Sequence, residues 1–318
     1  MKLLNALPGA VSQGVIWGIM AIGVYLTYRI LEVSDLTVDG SIATGGAVAA
    51  MMIPLQPAFQ QAFPGVPVWV LSAVILLVAF LVGALTGLCT GVLHTCMGIP
   101  AILAGILTQL ALYSINLRIM GNKANVAISA NKYDLLVTLR NARKLTLDNP
   151  LVILIAFSVV LIVVLYLFFR TEYGCAMRAT GSNANMSRAQ GINTNFATVV
   201  GLMLANGIVA LSGALLAQYQ GFADVSMGRG AIVIGLAAVI IGEVVFGKLF
   251  RSFAGKLIAV SLGAVIYYIV MQIVLWLGLN TNDLKMLTAL VVAMFLAVPY
   301  WKNKLAATRL SKEGKTHA

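Results

Sequence analysis

Residues 178–193 read RATGSNANMSRAQGIN, a polar stretch between two apolar runs, 150–169 and 195–217, in a chain otherwise built largely from such runs. With its flanks the polar segment covers 170–195. So long a polar insert between two candidate spans points to a soluble partner. Gly181 and Gly191 suit the ends or turns of a short helix, because glycine accepts positive φ without penalty. Ser182, Asn183 and Asn185 are capping residue types. Between the glycines, NANMSRAQ places Met186 and Ala189 on one face, three residues apart, with Arg188 beside them. Such a helix offers an apolar knob and a cation to a groove on a partner. The same pattern also describes an amphipathic helix lying in the membrane interface, and the segment by itself leaves both readings open.

The remainder of the chain fixes the environment. Of 318 residues, 60% are hydrophobic and 10% charged, and the mean hydropathy is +0.96. Soluble domains carry about 25% charged residues. Several runs reach the roughly 20 residues needed to cross a bilayer, and in lipid each must satisfy its own backbone as a helix or a closed barrel. Continuous apolar runs, rather than two-residue alternation, exclude the barrel. The chain therefore reads as all-α, one polytopic transmembrane helical bundle over 1–318. The net charge of +11 sits in loops and in the basic tail 302–318, the footprint of topology and of contact with anionic membrane lipid rather than of nucleic-acid binding. Cys89, Cys96 and Cys175 have no CxxC spacing and read as small apolar fillers. Lys2 and the apolar residues after it read as a retained first helix, for want of a small-residue cleavage site.

Nine apolar segments can be drawn, near 9–28, 40–54, 68–93, 98–118, 150–169, 195–217, 230–247, 254–277 and 284–301, eight or nine of them in the membrane. The second, stopping at Pro54, is too short to span as one straight helix and predicts a broken or re-entrant element. The seventh opens on glycines and is also short. Paired short, glycine-rich elements, one in each half, are the sequence pointer to a transporter's midplane pathway. Candidate pathway residues are Ser41 and Thr44 on the second segment, Asn206 on the sixth, and Gly230 and Glu243 on the seventh. Gly83, Gly87 and Gly91 recur every four residues and predict a close helix–helix seam. The eight prolines are placed at or near segment edges, where a missing amide costs least.

With the tail inside (Lys302, Lys304, Arg309, Lys312, Lys315), alternation puts eleven basic residues on that side, among them Arg170, Arg178, Arg188, Lys248, Arg251 and Lys256. Eight fall opposite, six of them in the 118–150 loop (Arg118, Lys123, Lys132, Arg140, Arg143, Lys144), with Arg229 and Lys285. The positive-inside bias is small. The 118–150 loop reads as solvated, with contact to a binding protein as the alternative. Nine crossings put the N-terminus outside; a re-entrant second segment puts it inside.

No residue set supports chemistry in this chain. Gly242-x-x-x-x-Gly247-Lys248 ends in Leu249, where a phosphate-binding loop needs Ser or Thr, and no strand precedes it. Asp35 and Asp39 are four apart, but a magnesium-diphosphate site needs a second acidic pair. His94 and His317 stand alone, so no histidine metal or acid–base cluster can be built. Glu243 is the one acidic residue placed in or at the end of a span, with Lys248 or Arg251 as an expected ion-pair partner and gating or cargo contact as the alternative. Asn206, Gln109 and Asn116 read first as interhelical hydrogen-bonding groups and second as pathway lining.

The order Arg178, Gly181, Asn183, Ala189, Gly191, Ile192 resembles the cytoplasmic coupling loop of ABC importer permeases of the branched-chain amino acid and ribose permease family. Residues 14–50 (GVIWGIMAIGVYLTYRILEVSDLTVDGSIATGGAVAA) resemble that family's opening pattern. Residues 201–245, with ALSGALLAQYQG and GRGAIVIGLAAVIIGE, resemble its second half. Where many relatives have a glycine-rich turn, this chain has Glu243 followed by VVFGKLF. The resemblance implies a multi-pass permease of the bacterial inner membrane, working as a homodimer with a cytoplasmic ATPase subunit that holds the ATP and magnesium, so that this chain binds no cofactor or metal and is no enzyme. It implies cargo delivered by an external binding protein, with amino acids, aromatic ones among them, as the subgroup's solutes. It also assigns ATPase docking to Arg178, Gly181, Asn183, Ala189, Gly191 and Ile192, to which the reading of the short helix adds Met186 and Arg188. A stand-alone secondary transporter or channel is the rival reading; it needs ion-coupling groups within the membrane.

Overall fold

The computed structural model describes residues 2–277 apart from 63, 66, 130–131, 134 and 139–148, with isolated residues between 286 and 297. The helices follow as α1 (Lys2–Tyr25, extended by a π turn, Leu26–Ile30), α2 (Val38–Met52), α3 (Gln56–Ala62), α4 (Val68–Thr95), α5 (Ala101–Ile119), α6 (Pro150–Phe168), α7 (Glu172–Ser182), α8 (Ala184–Ala189), α9 (Thr194–Gln220), α10 (Ala231–Phe246) and α11 (Phe253–Trp276). Among the described residues, seven helical stretches are long and apolar enough to cross a membrane, and α10 is a shorter apolar helix. The chain is thus an almost wholly α-helical membrane bundle. Among the described residues the sheet is one antiparallel pair, β1 (Asn125–Ala127) with β2 (Phe222–Asp224), Val126 facing Ala223.

Eight of the nine expected segments are helices in this structure. The ninth is described in part, helical at 286, 288–290, 292–294 and 297, with Val292 buried against Ala237, Ile241, Tyr267 and Met271; the tail 302–318 and Arg140, Arg143, Lys144 and Lys285 lie outside the described residues. The second segment departs from expectation. Pro54 converts one turn to a 3-10 helix (Ile53–Leu55) without ending the run, so Val38–Ala62 is helical over 25 residues. The break falls before it instead. Glu32 adopts a left-handed φ of 54°, and residues 32–35 have no regular structure. Pro8 lies inside α1 rather than at its edge.

Helix starts after polar connections are capped as their sequences allow. Asn149, Asn183 and Asn193 accept from Leu151, Met186 and Phe196 amides at 3.0, 3.0 and 3.1 Å, and Ser252 accepts from Gly255 at 3.1 Å. Each satisfies an amide that a helix cannot pair internally.

The spans of α1 and α9 are 83% and 78% buried, against 22% for α6 and 28% for α5, so the first pair is central and the second faces outward. The glycine seam lies between α4 and α9. A Cβ on Gly83 would stand 2.6 Å from the Asn206 carbonyl, one on Gly87 would overlap the Leu202 carbonyl, and one on Gly91 would stand 3.1 Å from Val199 Cα. The three cysteines are unpaired and exposed on the bundle surface, so they do not fill packing gaps.

Arg29, Arg178, Arg251 and Lys256 share one cavity with Phe253, which puts the end of α1, the α7–α8 segment and the α10–α11 turn at one end of the bundle, hereafter the near end. The β1–β2 pair is at the far end, where α1 also begins. Gly23 packs on Ala205 and Val209, and Gly235 on Val24 and Met20. By these levels α10 begins about ten residues, or ~15 Å, short of the far end of α9 at a rise of ~1.5 Å per residue.

The seam makes a stability prediction. Gly87→Leu forces a side chain onto the Leu202 backbone and should cost ~1–3 kcal/mol or more, lowering the thermal unfolding midpoint in detergent. Leu85→Ala, whose side chain is exposed, should leave it nearly unchanged. Equal midpoints for the two variants would show that the seam is looser than described.

Candidate functional site

Residues 31–37 run from the near end into the bundle interior and carry Asp35 into contact with α9. The carboxylate is only 2% exposed. Its Oδ2 accepts from Asn206 Nδ2 at 2.7 Å and its Oδ1 from the Thr37 amide at 2.9 Å. Asn206 Oδ1 accepts from the Ser41 hydroxyl at 2.6 Å, and that hydroxyl lies 2.8 Å from Thr86 Oγ1. The Thr37 hydroxyl lies 2.6 Å from Thr90, which donates to Thr108 at 2.9 Å. One connected polar cluster therefore joins the start of α2 to α4, α5 and the middle of α9, all of it buried. In a medium without water an unpaired polar group is costly, and a chain of pairs is the economical solution.

Asp39 acts separately. Its two oxygens accept from the amides of Gly230 and Ile232, both at 2.9 Å, so α2 caps the first turn of α10. Gly230 has φ 86° and serves as the N-cap residue of α10. A carboxylate suits this position because it meets free amides and the positive end of the helix dipole. The two acidic residues thus face different partners, not a shared metal. The sequence reading missed their role, since a spacing of four implies one face only along a continuous helix, and α2 starts between them. The available signal was the polar run DLTVDGSIAT opening an apolar segment, with Thr86 and Thr90 four apart on another.

Of the expected pathway residues, Ser41 and Asn206 are brought together. Thr44 bonds back to the Gly40 carbonyl at 3.0 Å. Gly230 and Glu243 sit at opposite ends of α10. Glu243 pairs with Arg29, Nε to Oε1 3.1 Å, both partly exposed, rather than with Lys248 or Arg251. The near-end turn of α1 carries Arg29 to α10, a pairing 214 residues apart in sequence. Asn206 is the interhelical hydrogen-bonding group expected of it, but Asn116 is not: it is buried and neither amide atom has a partner.

The polar segment forms two helices that meet at Asn183, which caps α8. Met186 is 63% exposed. Arg188 Nε donates to Thr194 Oγ1 at 2.7 Å, and Arg178 Nη2 donates to the Phe169 carbonyl at 2.7 Å with its guanidinium over the Phe253 ring. Ala189 is exposed and Ile192 half-buried. Gly191 has φ 82° and turns the chain toward α9. Gly181 does not end or turn a helix as expected; it is helical, and a Cβ there would overlap the Ile30 carbonyl. Its lack of a side chain lets α7 lie against the end of α1.

Residues 7–299 match the family described as branched-chain amino acid transport system, permease component. The chain belongs to this permease family. It is 36% identical over 296 residues to the tyrosine transport system permease protein of Clostridioides difficile, covering 92% of this chain and 91% of that one. An uncharacterized protein of Rickettsia prowazekii is 32% identical over 92% and 98% of the two chains. The ribose import permease protein RbsC of Escherichia coli K12 is 25% identical over 93% and 85%. No solved structure matches. The chain is thus a multi-pass membrane permease component of an importer, and the family match covers the buried cluster, α10 and the α7–α8 segment.

In this permease Asn206→Leu removes the donor to Asp35 Oδ2 and one of the two partners of the Ser41 hydroxyl, which keeps Thr86, and should cost ~1–3 kcal/mol. Asp35→Leu combined with Asn206→Leu should recover part of that loss, giving a coupling of ~0.5–3 kcal/mol in a double-mutant cycle of unfolding midpoints. Strict additivity would mean that the pair does not interact.

Proposed function

We propose that the chain is the membrane subunit of an ATP-driven importer for amino acids, working as a homodimer. Its near end docks a cytoplasmic ATPase, and its far end receives cargo from an external binding protein. ATP and magnesium belong to the ATPase; this chain contributes positioning and motion. The observation carrying the docking assignment is Met186, an exposed apolar side chain on a capped, polar two-helix segment at one end of a membrane bundle. An apolar groove of about 260 Å³ lies beside that segment, with Tyr173, Ile192 and Phe196 in its lining. A helix presented in this way suits insertion into a groove on a partner. Amino acids as cargo follow from the family description and the tyrosine relative.

The mechanical link we infer runs from α7 through the Gly181–Ile30 contact to residues 31–37, and so to Asp35 and Asn206. Closure of the ATPase pair would favour one arrangement of α7 over another, a population shift drawn from differential binding. The same movement would load the exposed Arg29–Glu243 pair, which a partly solvated geometry makes weak enough to open. Asp35 is an intramembrane acid of the kind a stand-alone secondary transporter needs, and the family match supports the importer over that rival.

The test is purification of the tagged chain from its native membrane in mild detergent, with mass spectrometry of its companions. An ATPase subunit should copurify with the wild-type chain. Met186→Glu, at a side chain that is 63% exposed, should reduce its recovery at least several-fold while leaving the unfolding midpoint intact. Full recovery with Met186→Glu would remove α8 as the docking element, and a wild-type chain that purifies alone would overturn the importer reading.

A further inference from the structure

Between α2, α5 and the start of α10, a cavity of about 240 Å³ is lined by Asp39, Gln109, Tyr113, Asn116 and Arg229. It is recessed: Arg229 in its wall immediately precedes Gly230, the N-cap of α10, and α10 begins well inside the far end of α9. Its chemistry is unlike that of the apolar groove between α4 and α5 that holds Leu85, Cys89 and Leu107.

Three groups in this cavity are incompletely used. Asn116 is 1% exposed, and neither its amide nitrogen nor its amide oxygen has a hydrogen-bond partner. A buried primary amide without partners is costly in any interior, and more so within a membrane bundle. Such a group persists where something else pairs with it. The Arg229 guanidinium lies over the Tyr113 ring, 5.9 Å from its centroid, and among the described residues no carboxylate comes within ion-pair distance of it. Asp39 is met by the amides of Gly230, Ile232 and Ala231 at the start of α10, and a carboxylate, with about four lone-pair positions, can still take a further donor. The cavity thus has in its wall an anion and a cation that form no ion pair with each other, a buried amide without a partner, and an aromatic side chain.

We propose that this cavity is a cargo subsite for a zwitterionic α-amino acid. The α-ammonium is received by Asp39, the α-carboxylate by Arg229 with the Asn116 amide donating to it, and an apolar or aromatic side chain lies against Tyr113. A neutral polyol would leave the opposite charges unused, which is the reason to prefer an amino acid over a sugar. The subsite rests on the importer reading for its role in transport, but its chemistry stands on the lining residues.

The test uses the chain in nanodiscs with whatever ATPase copurifies and without the binding protein, so that only the membrane subunit can select. Saturation-transfer NMR is recorded with L-tyrosine, with tyramine, with 3-(4-hydroxyphenyl)propionate and with D-ribose. L-tyrosine should show transfer; the analogues lacking its carboxylate or its ammonium should each give several-fold less, and D-ribose none. Arg229→Gln and Asn116→Leu should each abolish the L-tyrosine signal. Asn116→Leu removes an unpaired buried amide, so its unfolding midpoint should hold or rise, which separates loss of binding from loss of fold. Wild-type signal in both variants, analogues as effective as L-tyrosine, or preference for D-ribose would each overturn the subsite. Absent L-tyrosine transfer in a preparation with normal ATPase activity would refute the subsite and leave the importer reading standing. Selective L-tyrosine binding by a chain that brings no ATPase would do the reverse.

Discussion

The contact between Asp35 and Asn206 organises this bundle. A carboxylate carried to the middle of a central membrane helix is tolerable only when its oxygens are met, and Asn206 and the Thr37 amide meet them. Holding Asp35 there fixes where residues 31–37 turn inward and therefore where α2 begins. The start of α2 in turn places Asp39 at the first turn of α10. Two irregular elements far apart in sequence are thus positioned by one buried acid, and the cavity beside Arg229 exists because both begin inside the bundle.

The apolar part of the architecture works by a different rule. With lipid as the solvent, helices gain little from hiding leucine, and they associate where backbones can approach closely. Gly83, Gly87 and Gly91 bring α4 against α9, and Gly181 brings α7 against the end of α1. Where the glycines stop, surfaces carry exposed large residues such as Leu77, Leu81 and Val160, as expected of lipid-facing walls. Central and peripheral helices are distinguished less by hydrophobicity than by how many small residues they present.

Local patterns were legible in the sequence and long-range pairings were not. Helix positions followed from apolar run length, the α4 seam from its four-residue glycine period, and the Asn183 cap from residue type. Pro54 misled because a proline inside a helical run can be absorbed by one 3-10 turn, so the second segment continues to Ala62. The pairings Asp35–Asn206 and Arg29–Glu243 join residues 171 and 214 positions apart, and no periodicity encodes such a choice. Asp35 and Asp39 were visible as acids but not as intramembrane groups, since the break between them decides their depth. Gly181 shows the same limit: its residue type allows a turn or a close approach, and only the neighbour at Ile30 selects between them.

The shortness of α10 has an electrical consequence. A helix of 16 residues spans ~24 Å, against ~30 Å of hydrocarbon. Around its first turn the low-dielectric barrier is therefore thinner than the bilayer, and polar groups occupy the missing depth. A membrane voltage falls mainly across the remaining low-dielectric layer, so the field there is steeper than in the surrounding lipid. Charges that move through this constriction couple to the membrane potential over a shorter path, whether they belong to a solute or to the side chains that line it.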